Sequence, residues 1–212
     1  MITTFDRSYW IGASDTRFVM AANRTTKTWL TWYNIKLGLD DTLFGGSIYT
    51  RMGNLFEHPI LKAIDENMNT DRQLIIPKYN LRVNYDGDLN GSIYEVKTHR
   101  GDKNFEVSKQ YYEQAQVEMF AWKQYLKDSE HYCDWHIREH LEPFEKLTIV
   151  SYALNVEEYS KLEVYERGEA EIEIDKSRIK FHEIKYDKGF ISKYKPAVKS
   201  LAKKIRNGDT PW

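Results

Sequence analysis

Near Leu81 the apolar spacing changes from a helical period to a period of two, so the chain cannot be all-helical. Upstream, Trp29, Trp32 and Tyr33 share one side of a predicted helix from Thr26 to Leu37, with Gly38 at its end. Met52, Leu55, Phe56, Ile64 and Met68 stand at helical spacing from Ile48 to Met68. Pro59 should kink or interrupt that helix, because it cannot donate to the carbonyl of Leu55. Ser14 is expected to cap a further helix running through Arg17, Phe18, Val19 and Ala22.

In Leu81-Arg82-Val83-Asn84-Tyr85 the apolar residues then alternate. Asp86 to Gly91 is turn chemistry, and Ser92 to Thr98 reads as the returning strand of a hairpin. A long helix is expected from Phe105 to Leu126, strands at Leu147–Leu154 and Ile179–Ile184, and a last helix from Pro196 to Arg206 stopped by Asn207-Gly208. That order implies an α/β fold with helices packed on a central sheet. No repeat or long linker divides residues 1–212, and only 5 Pro and 11 Gly punctuate them, so one domain is expected.

The hairpin also places chemistry. Residues two apart on a strand point to one face, so Glu95 and Lys97 stand side by side, with Tyr94, Val96 and Thr98 behind. The turn returns Asp86 to their neighbourhood. Two carboxylates and an ammonium at one sheet edge suit phosphodiester hydrolysis. Carboxylate oxygens bind hard cations such as Mg²⁺. Such ions activate water and stabilise the leaving oxygen, and a lysine beside them orients the water or balances charge. A Glu-x-Lys pair alone is more often a solvated ion pair.

Further motifs in order make the case more specific. Arg7 precedes Ile11-Gly12-Ala13-Ser14-Asp15. Gly53-Asn54-Leu55-Phe56-Glu57 lies on the predicted third helix. Tyr85-Asp86-Gly87 is followed by Glu95-Val96-Lys97, and Ala115-Gln116-Val117 lies on the long helix. With these, the chain from about Arg7 to about Trp122 resembles the lambda exonuclease and YqaJ-type viral recombinase family of the PD-(D/E)xK nuclease superfamily. The resemblance implies a restriction-endonuclease-like central mixed β-sheet flanked by helices. It implies a 5′→3′ exonuclease that degrades one strand of linear double-stranded DNA and leaves a 3′ single-stranded tail for recombination. It further implies two Mg²⁺ or Mn²⁺ ions, a homo-oligomer such as a ring-shaped trimer, and a single-strand annealing protein as partner.

Carried over residue by residue, the resemblance makes Asp86, Glu95 and the carbonyl of Val96 metal ligands. Glu57 becomes a second-site carboxylate and Lys97 the residue that positions water. Gln116 would hold Lys97 or a water, and Arg7 and Ser14 would bind the 5′ phosphate. A phosphate role for Ser14 also follows from a helix N-terminus, although a plain cap explains it equally well. The chain departs from the family in Tyr85, which replaces a proline, and in Asp88, a competing carboxylate. The family's upstream aspartate has no counterpart from Ile75 to Lys78, and Pro59 crowds the turn that bears Glu57.

The residues alone leave two alternatives: an endonuclease or nickase of the same fold, and a non-catalytic DNA-end-binding module. The formal net charge of −1 argues against a broadly basic nucleic-acid surface. Charge is uneven, though: seven Lys or Arg and no acid fall between Lys188 and Arg206, and Glu157 to Asp175 is rich in Glu. The first stretch suits a DNA backbone or simply a wet helix face, and the second an outward surface or a basic partner. His131, Cys133, His136 and His140 mimic zinc spacing but match no common module, and a solvated polar segment is the expectation. Cys133 is the sole cysteine, no apolar leader opens Met1 to Trp10, and no membrane span is visible, so a cytoplasmic location is expected.

Overall fold

A computed structural model describes residues 8–40, 47–128 and 146–210. A 3-10 turn at Ala13–Asp15 runs into α1 (Thr16–Val19), followed by α2 (Lys27–Lys36) and α3 (Ile48–Ile64). Strands β1 (Asn69–Ile76), β2 (Leu81–Leu89) and β3 (Ser92–Arg100) come next, then α4 (Lys109–Asp128) and β4 (Lys146–Leu154). Two short helices, α5 (Val156–Ser160) and α6 (Leu162–Glu166), lead to β5 (Ile179–Ile184) and α7 (Lys188–Asn207).

The five described strands form one sheet in the order β1-β2-β3-β4-β5. Pairing is antiparallel except between β3 and β4, which run parallel. The sheet is therefore mixed, and α4 lies in the crossover that a parallel neighbour requires. Interior strand β4 is buried on both faces from Leu147 to Tyr152, and its mostly apolar sequence is broken only by the buried hydroxyls of Thr148 and Ser151. Leu147 and Ile149 face the cluster built with α2, α4 and α7, where Trp29, Tyr33, Trp122 and Leu201 are buried. Val150, Tyr152 and Leu154 face the opposite cluster, built with Met52, Phe56, Ile60 and Leu61 of α3. Burying each such side chain contributes about 1.5–3 kcal/mol before the entropy of ordering it.

Several elements differ from their sequence reading. Ser14 caps nothing: it is exposed inside the 3-10 turn, Gly12 precedes that turn, and Asp15 precedes α1. Asp15 is the residue that fastens this segment, accepting from Trp32 Nε1 at 2.9 Å and pairing with buried Lys36 at 2.8 Å. Helix α3 runs on through Pro59 to Ile64, so the proline does not end it, and Met68 lies beyond the helix, just before β1. The hairpin turn is only Asn90-Gly91, both with positive φ, and β2 continues through Asp86 to Leu89. This two-residue turn suits the twist of the strands it joins. Helix α7 starts eight residues before Pro196, at Lys188, where the Asp187 carboxylate accepts from Phe190 N–H at 2.9 Å. Strand β1, unforeseen, pairs with β2 from Asn69 to Ile76.

No helix of the described residues is long and apolar enough to cross a membrane. Arg7 and the four zinc-like residues His131, Cys133, His136 and His140 lie outside the described residues.

Candidate active site

The β2–β3 ladder is short. Gly87 pairs with Tyr94, Asp88 with Ile93 and Leu89 with Ser92, and pairing stops where Asp86 would face Glu95. There the Val96 N–H donates to Asp86 Oδ2 at 2.7 Å, so a side-chain carboxylate takes the place of a strand partner. The N–H and C=O of one strand residue point to the same edge, so the Val96 carbonyl faces the same opening. On the far side of β2, Asp71 lies level with Asp86 but outside the ladder, in the left-handed region at φ 57°.

Gly87 explains the Asp-Gly sequence. A Cβ there would lie 3.1 Å from Leu61 Cδ1, 3.1 Å from Met68 Cγ and 3.2 Å from Asn69 O. Glycine lets α3 and β1 close over the strand beside Asp86 without displacing these atoms. Gly53 meets a milder constraint on α3, a turn ahead of Glu57, where a Cβ would come within 3.4 Å of Thr98 Oγ1 on β3.

Glu95 and Lys97 share a face, as alternation requires, and Lys97 Nζ donates to Glu95 Oε1 at 2.5 Å. Glu95 is buried, and its second oxygen, Oε2, is buried without a hydrogen-bond partner. The Tyr111 ring of α4 lies 5.1 Å from Lys97 Nζ. Burial disfavours the ammonium, but the charges of Glu95 and Asp86 outweigh it and hold the Lys97 pKa above its ordinary value. From the helix on the opposite face, Glu57 comes within electrostatic reach of Glu95 and Lys97. Burial first and the charge of Glu95 second push its carboxyl up to about 7. Asp86 is raised well above the carboxylate range by burial, then by Glu95 and Glu57.

Four of the residues expected at the site therefore come together: Asp86, Glu95, Lys97 and Glu57. Gln116 does not join them. Its amide spans from α4 to the start of α7, donating to Lys185 O at 2.8 Å and accepting from Asp187 N–H at 2.7 Å. Two residues along a helix is 200° round its axis, so when Gln116 faces α7 it is Gln114 that faces β3. Gln114 Nε2 donates to Glu95 Oε1 at 2.5 Å and to Glu118 Oε1 at 2.8 Å. Glu118 is fully buried and raised well above the carboxylate range, first by burial and then by Glu95. Gln114 and Glu118 went unnoticed in the sequence, although Glu118 is the one charge in the otherwise apolar run from Val117 to Trp122.

Asp88 is occupied elsewhere, accepting from Asn69 at 3.1 Å, Arg72 at 3.2 Å and Tyr85 OH at 3.3 Å. It supports the β1–β2 pair instead of competing with Asp86. Asp71 and His58 are 3.2 Å apart, and with Glu57 they offer ligand atoms all within 4.8 Å of one another.

The donor set fits a hard divalent cation. Asp86, Glu95, Glu57 and Glu118 crowd the ammonium of Lys97, and a buried carboxylate oxygen of Glu95 lacks any donor. Cations such as Mg²⁺ and Mn²⁺ prefer oxygen ligands of this kind. A cavity lined by Trp10, Ser14, Arg82, Asn84 and Gln114 adjoins this cluster, Gln114 belonging to both.

No family model matches the chain, and no curated protein matches it. Solved structures do share its fold. The alkaline exonuclease LHK-Exo from Laribacter hongkongensis aligns with a TM-score of 0.58 at 13% identity, over 95% of this chain and 90% of that one. The same enzyme in complex with dAMP gives 0.59 at 14%, over 95% and 90%. A phage-related exonuclease from Haemophilus somnus 129PT gives 0.61 at 15%, over 92% of each chain. The mixed sheet with its flanking helices is thus the restriction-endonuclease-like arrangement of these exonucleases.

Proposed function

We propose that this protein is a metal-dependent DNA exonuclease that degrades one strand of linear duplex DNA in the 5′→3′ direction. The observation that carries this reading is the opening of the β2–β3 ladder at Asp86, where Asp86 accepts the Val96 N–H next to the Glu95–Lys97 pair. Its likeness in fold to proteins described as exonucleases supports it.

In this reading Asp86, Glu95 and the Val96 carbonyl hold one Mg²⁺ or Mn²⁺, and Glu57 serves a second. Bound there, such a cation supplies Lewis acidity at the scissile phosphate and makes water more acidic. Lys97, held between Glu95 and the Tyr111 ring, orients the attacking water and balances charge on the phosphate oxygens. Water adds its oxygen to phosphorus and the bond to the 3′ oxygen breaks, so each cut leaves a new 5′-phosphate end.

That product suits the neighbouring cavity. Ser14 and Arg82 line it together with the Asp15–Lys36 ion pair, and Gln114 connects it to Glu95. A terminal phosphate seated there would set the next phosphodiester bond at the carboxylates, with Arg7 a further contact carried by the resemblance. The same resemblance assigns the 3′ tail to recombination with an annealing protein, and a ring-shaped trimer to the assembly.

The test is digestion of linear duplex DNA bearing a 5′-phosphate beside a closed circle of the same DNA, with Mg²⁺ and with chelator, for wild type and Lys97→Ala. Shortening of the linear DNA alone, dependent on metal and on Lys97, is expected. Equal cutting of the circle makes the protein an endonuclease, and binding of ends without cutting makes it a non-catalytic module.

A further inference from the structure

A fully buried carboxylate that touches neither solvent nor a cationic group is costly, and apolar residues of equal volume are the cheaper way to fill a core. Glu118 is such a group. It has no exposed surface, its Oε1 accepts the Gln114 amide at 2.8 Å, and among the described residues its buried Oε2 has no hydrogen-bond partner. The adjacent core positions Val117, Met119, Phe120, Ala121 and Trp122 are apolar, and the other buried polar side chains of α4, Gln116 and Gln124, are uncharged amides. Among the described residues no cation pairs with Glu118 at contact distance, and the Lys97 ammonium acts on it only from further away.

The Gln114 amide supplies the reason. Its nitrogen carries two hydrogens, and carboxylates only accept. One hydrogen goes to Glu95 Oε1 and the other to Glu118 Oε1, at 2.5 and 2.8 Å. With an acceptor on each side, the amide cannot reverse without setting its own oxygen against two carboxylates. Glu95 Oε1 is thereby held by two donors, Gln114 Nε2 and Lys97 Nζ, while Oε2 stays without a partner.

We infer that Glu118 is a positioning residue of the nuclease site: acting through Gln114, it fixes the rotation of the Glu95 carboxylate so that one oxygen holds Lys97 and the other is left for a divalent cation. The inference rests on the metal-dependent nuclease reading and deepens it. A residue that fixes a ligand in this way commonly changes metal affinity or turnover by about 10–100-fold when removed. A core filler changes stability alone.

The experiment compares wild type, Glu118→Leu, Glu118→Gln and the double exchange Gln114→Glu with Glu118→Gln. Mn²⁺ binding is followed by electron paramagnetic resonance, and kcat and KM are measured on 5′-phosphorylated linear duplex. Glu118→Leu should weaken Mn²⁺ binding and lower kcat by about 10-fold or more at unchanged KM for DNA. Glu118→Gln keeps an acceptor facing Gln114 and should recover most of both. The double exchange preserves charge and volume, so it keeps the fold, yet it leaves Glu95 without its amide donor and should lose both. Wild-type behaviour of Glu118→Leu, or of the double exchange should Glu118→Leu not fold, overturns the inference, as does Glu118→Gln failing as badly as leucine. Wild-type protein that neither binds Mn²⁺ nor cuts DNA removes the nuclease reading, and this inference with it.

Discussion

The carboxylate of Asp86 accepts the backbone N–H of Val96 at 2.7 Å, at the point where β2 and β3 cease to pair. One side chain thus compensates the broken ladder and brings its charge to the mouth of the opening. Replacing Asp86 by Asn separates the two roles, since the amide oxygen still accepts from Val96. Cleavage should fall by about 100-fold or more. The metal-free fold should be at least as heat-stable as wild type, because burial, Glu95 and Glu57 all disfavour the charge that is removed. Paired melting curves and digestion rates check both effects, and full activity in Asp86→Asn would refute the assignment.

The β2–β3 hairpin was legible because its apolar residues alternate and its turn is polar, so Glu95 and Lys97 could be set on one face without coordinates. Strand β1 was not, because Asn69 to Gln73 is polar and half-buried and only Leu74 and Ile76 are buried in the sheet. The start of α7 was obscured by Pro196, which reads as a first-turn residue, whereas Asp187 and Phe190 form the real cap. Gln114 was not legible for a different reason, and the resemblance pointed to Gln116 instead. Which side of α4 meets β3 depends on how the crossover packs, and periodicity does not contain that information. Asp71 entered the site region through its place in β1, which the sequence reading had not found.

The acidic crowd makes the metal-free fold sensitive to pH. The Glu57 carboxyl is pushed up to about 7 from an ordinary 4.5. Between those values the folded chain keeps a proton that the unfolded chain has released. The contribution of Glu57 to stability is then fully favourable below the lower value and is lost as pH rises to about 7. Urea denaturation in chelator should show stability decreasing across that window, and Glu57→Gln should flatten the slope. Added Mg²⁺ should restore stability at the alkaline end, because it binds the folded state alone. Stability that rises through the same window would count against this account.

Gly87→Ala tests the packing that sets Asp86 in place. The new methyl meets Leu61 and Met68 at 3.1 Å and the Asn69 carbonyl at 3.2 Å. The two side chains can shift, but the carbonyl belongs to the β1 backbone. A loss of about 1–3 kcal/mol is expected, as for other overpacked sites. Guanidinium unfolding would measure it, and a variant as stable as wild type would show that β1 and α3 yield easily beside the site.

Gln114 and Gln116 are two residues apart and should separate cleanly by experiment. The Gln116 amide serves Lys185 O and Asp187 N–H, and the Asp187 side chain caps α7. Gln116→Leu leaves both backbone groups without that partner and should cost about 1–3 kcal/mol in stability. Turnover of the protein that remains folded should be unchanged. Gln114→Leu removes a donor from Glu95 and should do the reverse, lowering turnover by about 10-fold or more with a smaller change in melting temperature. Rates taken well below both melting temperatures distinguish the two, since there a purely structural defect leaves kcat intact. If Gln116→Leu were the slower enzyme, the position of α4 against β3 would have to be rotated from the one described, and the roles of Gln114 and Glu118 would fall with it.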